Sequence, residues 1–101
     1  MIQAAVIKLD KEYKIKPSWG GMMLFEDMTK KTIYSMEDSV SDVLKLFYCL
    51  LKANNEDFKY TFEEFVKLLD NYYDQVDVFV GYLEGLKEGG EIKKKTVRVK
   101  K

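Results

Sequence analysis

The stretch KIKPSWGGMMLFEDMTKK, residues 14–31, changes its period in the middle. Up to Lys16, apolar Tyr13 and Ile15 alternate with lysines, the two-residue period of a strand. After Ser18, Gly21, Leu24, Phe25 and Met28 fall at i, i+3, i+4 and i+7, one stripe of a helix. Pro17 stands between them. It has no N–H for a strand ladder and biases Lys16 toward extended backbone. Ser18 then caps a helix over about Trp19 to Thr29. Trp19, Met22 and Met23 widen its apolar stripe. Two consecutive glycines cost such a helix about 1 kcal/mol each relative to alanine. Close approach of another backbone to Gly20 and Gly21 is the expected reason for them.

Upstream, QAAVIKLDKEYKIKP reads as a β-hairpin, strands 3–9 and 12–16, turning at Asp10-Lys11. Downstream, Ser39 starts a second helix, with Asp42 completing a weak capping box. Val40, Val43, Leu44, Phe47, Leu50 and Leu51 keep helical spacing, and Leu46, Tyr48 and Cys49 make it apolar on most sides. This is the expected central helix, ending at ANN near Ala53. YTFEEF is a stronger start signal. Thr61 caps, Glu64 closes the box, and Tyr60 with Phe65 has the spacing of a hydrophobic staple. That helix is expected to continue through Leu69 to Tyr72 and Tyr73. Asp74 and Asp77 begin the last helix, with Val76, Phe79, Val80, Leu83 and Leu86 on its inner face and EGG closing it at 88–90. The expected fold is mainly α, of α+β class: an N-terminal hairpin and about four short helices in one globular domain over 1–90. The end, residues 91–101, alternates Val97 and Val99 on a basic background, as a solvated tail or a third strand beside the hairpin.

The 101 residues suffice for one domain, and 47% hydrophobic with 14% aromatic residues suffices for a core without staples. Cys49 is the only cysteine, so no intramolecular disulfide forms; in the run LKLFYCLLK it reads as a small buried hydrophobe. No leader pattern and no apolar run of membrane-spanning length is present, so a soluble cytoplasmic protein with no membrane partner is expected. With no histidine, no phosphate-binding glycine loop and no nucleophile elbow, the chain is expected to be no enzyme and to carry no cofactor. An EF-hand frame ending at Glu64 puts Ala53 where the first aspartate ligand belongs and Phe58 where glycine makes the turn. Calcium binding is therefore rejected and Glu64 is read as a cap. Charge is unevenly placed. Residues 91–101 hold Lys93, Lys94, Lys95, Arg98, Lys100 and Lys101 against one glutamate, net +5, whereas residues 1–90 are net −5. An acidic body repels a duplex, so nucleic-acid binding through the basic tail is the least favoured partner class.

The order of these features resembles the tail assembly chaperones of long-tailed bacteriophages and prophages, over about residues 5–75. Lys11-Glu12-Tyr13 is similar to the family's turn between two strands. Gly20-Gly21 matches its small-residue helix start, and Phe25-Glu26 with Thr29-Lys30-Lys31 matches the segment after it. TFEEFVKLLD looks like its second helical half. The family often has glycine where Lys30 stands, a departure.

The resemblance implies a non-catalytic protein of the bacterial cytoplasm. Such a protein binds the tape measure protein, a long helical polypeptide, keeps it soluble and recruits tail tube protein; self-association is also implied as possible. Many members are made in two forms by a ribosomal frameshift, for which the codons of lysine runs such as Lys93-Lys94-Lys95 are candidates. A holdase covers apolar stripes by receiving a helix in a groove. The candidate contacts are Trp19, Met22, Met23, Tyr72 and Tyr73, amphipathic or adaptable side chains. Packing alone favours a core position for the methionines, and the resemblance leaves core and partner surface open. The competing readings are a small interaction adaptor or regulator from a mobile element and, behind it, a nucleic-acid regulator using the basic tail.

Overall fold

A computed structural model of the chain describes residues 4–32, 35 and 39–89. The elements are β1 (Ala5–Lys8), β2 (Glu12–Ile15), α1 (Trp19–Thr29), α2 (Val40–Asn54), α3 (Phe62–Leu69) and α4 (Tyr73–Gly89). The architecture is mainly α with an N-terminal antiparallel hairpin, as the change of period at Pro17 predicts. The expected tail or third strand over 91–101, and with it Lys93 to Lys101, lies outside the described residues.

The hairpin pairs Ala5 with Ile15 and Ile7 with Tyr13, which puts Ile7, Tyr13 and Ile15 on the buried face. Its connection is the three residues Leu9–Lys11, one more than the turn read from the sequence. Leu9 N donates to Lys11 O at 2.9 Å, and the Leu9 side chain returns to the core. Alternate residues of an antiparallel pair aim their backbone groups away from the partner strand. Here those groups meet side-chain amides. On the β1 edge, Lys8 N donates to Gln75 Oε1 at 2.8 Å. On the β2 edge, Asn55 Oδ1 accepts from Lys14 N at 3.2 Å and Asn55 Nδ2 donates to Lys14 O at 2.7 Å. Asn54 Nδ2 donates to Lys16 O at 3.0 Å. The same two asparagines also donate to the Leu50 and Leu51 carbonyls near the end of α2. The ANN sequence thus ends a helix and fastens a strand.

α2 packs against α1, β2 and α3, while α4 packs against α3 and β1. Aromatic rings join these elements. Phe47 of α2 stacks on Phe79 of α4, centroids 4.3 Å apart, and meets Phe65 of α3 edge-on at 5.2 Å. Phe58, in the connection before α3, meets Tyr13, Tyr48, Tyr60 and Phe65 edge-on at 5.3 to 5.8 Å. The predicted staple therefore works through Phe58, which touches both of its rings. The capping box of α3 is formed as predicted: Glu64 N donates to Thr61 Oγ1 at 3.1 Å and Thr61 N to Glu64 Oε1 at 2.9 Å.

Four expectations are corrected. α3 stops at Leu69, because the N–H groups of Asp70, Asn71 and Tyr72 turn to carbonyls three residues back and tighten its end. Tyr72 therefore lies in a turn and Tyr73 is the first residue of α4. The buried stripe of α4 is Gln75, Phe79, Leu83 and Leu86; Val76 is only partly covered and Val80 is exposed, because the helix turns Gln75 toward the β1 edge. Leu24 and Val40, which the periodicity places inward, are at the surface. Asp42 gives its N–H to the Ser39 cap, but its nearly buried carboxylate takes Lys31 Nζ at 2.8 Å, tying the end of α1 to the start of α2.

The two glycines of α1 differ. A Cβ on Gly21 would stand 2.7 Å from Leu50 Cδ2 and 3.1 Å from the capping Ser18 Oγ, whereas one on Gly20 would make an ordinary 3.7 Å contact with Ala53. Only Gly21 is required by close approach, and the nearest group is a side chain of α2. At the other end of α1, Lys30 is the left-handed C-cap, φ 62°, with its N–H on Glu26 O at 2.7 Å. This is a position glycine occupies without steric cost. In urea unfolding, Gly21→Ala is expected to lower stability by about 1–3 kcal/mol through overpacking. Lys30→Gly is expected to raise stability by up to about 1 kcal/mol. Gly81→Ala and Gly85→Ala, where a Cβ meets nothing within 4 Å, are each expected to do the same.

Cys49 is buried in α2, and burial pushes its thiol up from 9.0 to about 12. Tyr13 is raised above the ordinary tyrosine value of 10.0 by burial, then by its hydrogen bond to Asp10 Oδ1 at 2.9 Å. Both groups are held neutral in the fold and ionise first in the unfolded chain. Stability is therefore full below the ordinary thiol value and falls as pH rises toward the folded one. The urea midpoint is expected to hold from pH 7 to 9 and to drop between pH 9 and about 12. At pH 8 the native thiol should resist an aromatic disulfide reagent that modifies it at once in urea.

Candidate partner-binding surfaces

The five candidate contacts do not form one site. α1 points Trp19 and Met23, one turn apart, at solvent, 80% and 65% exposed. Met22, between them, turns inward and packs on the core with Phe25 and Met28. The choice left open by the sequence is thus split residue by residue: Met22 is partly buried against the core, and Trp19 and Met23 are surface residues with Leu24 beside them. Tyr72 packs partly against the core in the turn before α4, while Tyr73 is 78% exposed at the start of that helix.

A second apolar surface is not evident from the sequence. Val40, Val43 and Leu44 of α2 face Val76, Val80 and Leu83 of α4 across an open groove of about 340 Å³, with Glu84 at its edge. Val40, at its mouth, is 74% exposed. Tyr73, Val76, Val80 and Glu84 follow one another at three- and four-residue steps, so Tyr73 continues the α4 wall of the groove. The α1 surface lies elsewhere. α1 meets α2 beside Cys49, Leu50 and Ala53, and positions 49 and 53 are half a helical revolution from 40 and 44. Trp19 with Met23, and Tyr73 with the groove, therefore belong to opposite flanks of α2.

The polar surroundings of the hairpin loop form a shallower notch lined by Asp10, Lys11, Tyr13, Asp57, Lys59, Tyr60 and Glu64. Of its charges, Glu64 is held in the cap of α3. Lys11 pairs with Asp57, which raises the lysine and lowers the carboxyl from their ordinary values, and Asp10 accepts from Tyr13. Among the described residues no group of three or more cysteines or carboxylates is placed to hold a metal ion. No helix among them is long and apolar enough to cross a membrane.

The split between Met22 and its neighbours can be measured. Trp19→Ala and Met23→Ala are each expected to change unfolding stability by less than about 0.5 kcal/mol, as surface substitutions do. Met22→Ala, which uncovers core, is expected to cost about 1–2 kcal/mol in the same titration.

Compared with protein-family models, curated proteins and solved structures, the chain matches none.

Proposed function

We propose that the protein is a non-catalytic tail assembly chaperone of a bacteriophage or prophage. In this reading it binds the tape measure protein in the bacterial cytoplasm, keeps it soluble and recruits tail tube subunits. The observation that carries the reading is the open groove between α2 and α4, because a holdase for a long helical polypeptide needs an apolar trough that accepts a helix. The exposed Trp19 and Met23 on the other flank of α2 offer a second contact, suited to tube protein. The left-handed cap at Lys30 also supports the resemblance, since the glycine common in the family at that position would fit it without cost. The chain has no histidine, the commonest general base, and its one cysteine is buried.

The test is an N-terminal tag on the gene at its own locus, in cells producing tails, with intact-mass analysis of the proteins that co-purify. A long helical polypeptide is expected with the wild type, and its recovery is expected to fall about tenfold or more with Val80→Asp, which sets a charge in the groove. Recovery of the 11.9 kDa chain alone would overturn the reading in favour of an adaptor.

A further inference from the structure

We infer that the groove between α2 and α4 takes a basic amphipathic helix, one whose apolar stripe is flanked by Lys or Arg on the side that meets α4. The inference rests on the reading that this protein holds a helical partner, and adds the chemistry by which that partner is selected. The groove floor is entirely aliphatic: Val40, Val43 and Leu44 from one wall, Val76, Val80 and Leu83 from the other. The charged residue that lines it, Glu84, comes from α4. Over its whole length that helix carries Asp74, Asp77, Glu84 and Glu88 against one base, Lys87. Glu84 lines the groove, and Asp77, seven residues before it, lies two turns back on the same face of α4, about 10 Å along the axis. Both are exposed, and neither makes an ion pair among the described residues. The two carboxylates thus flank an apolar trough that no described residue covers. A partner helix with apolar residues at i, i+3, i+4 and i+7 fills the trough, and bases two turns apart on its flank meet the carboxylates. Acidic-flanked helices of the same hydrophobicity are repelled, so the rim selects as well as attracts.

The experiment uses the full chain with methyl-labelled valine and leucine, and two synthetic peptides. The peptides share one leucine stripe at i, i+3, i+4 and i+7; one is flanked by lysine and the other by glutamate. The lysine peptide is expected to shift the Val40, Val76 and Val80 methyls, and to bind about tenfold or more tighter than the glutamate peptide. That preference should weaken as salt rises from about 0.05 to 0.5 M. Asp77→Lys with Glu84→Lys should invert it, and Asp77→Asn with Glu84→Gln should erase it; both pairs are surface changes that leave circular dichroism unaltered. Equal affinity for the two peptides overturns the inference, as do shifts confined to the Leu24 methyls beside Trp19 and Met23. Groove methyls that move with salt before any peptide is added, whatever the protein concentration, would assign the trough to the chain's own basic end and overturn it too. Movement with protein concentration would assign the trough to a second copy and likewise overturn the inference. If the lysine peptide binds the groove but no long helical polypeptide co-purifies from cells, the chaperone reading fails and the groove's chemistry stands.

Discussion

A two-stranded hairpin has two unpaired edges and is marginal alone in water, and everything else in this structure is arranged around that constraint. The edges are fastened by three side-chain amides, Gln75 on β1 and Asn54 and Asn55 on β2. An amide suits the task because it carries both an acceptor and donors, so one side chain can imitate a neighbouring strand. Asn55 does this on both the N–H and the C=O of Lys14. These contacts set where the end of α2 and the start of α4 lie relative to the sheet. The apolar inner face, with Ile7, Tyr13 and Ile15, then closes over the aromatic rings around Phe58 and Phe47.

From that placement the surface follows. α2 meets α1 along one flank, close enough that a Cβ on Gly21 would displace Leu50, and meets the aromatic core along another. α4 is turned so that Gln75 and Phe79 face inward, and this leaves Val76 and Val80 opposite Val40 and Leu44 across an open trough. The groove is thus a by-product of fastening the hairpin: the rotation of α4 that satisfies a strand edge is the one that uncovers valines. An apolar trough with a carboxylate on its edge is a costly surface to leave open to water, and the helix-holding role proposed above would account for it.

Most of the fold is legible in the sequence, because its signals are local. Pro17 and Ser18 mark the strand-to-helix change, and Thr61 with Glu64 marks the start of α3, through hydrogen bonds that span three residues. The alternation of Tyr13 and Ile15 with lysines marks the second strand, and both apolar residues lie on the buried face of the hairpin. Cys49 is legible too, since its neighbours are apolar on most sides of the helix.

The candidate site is less legible, because an apolar arc on a helix says that it can be covered and not by which neighbour. Met22 and Met23 are adjacent and chemically alike, yet one packs on the core and the other meets solvent; only the placement of α1 against α2 separates them. Val40 and Val80 belong to periodic stripes that read as core, but each stripe is wider than the strip its neighbour covers. Gln75 occupies a polar position with no local signal, and its role emerges only when residue 8, sixty-seven positions away, comes beside it. The elements and their caps are thus written in the chain itself, since they depend on bonds to near neighbours. Which apolar residues stay open is settled by packing alone, because each helix is turned about its own axis by contacts distant in the chain.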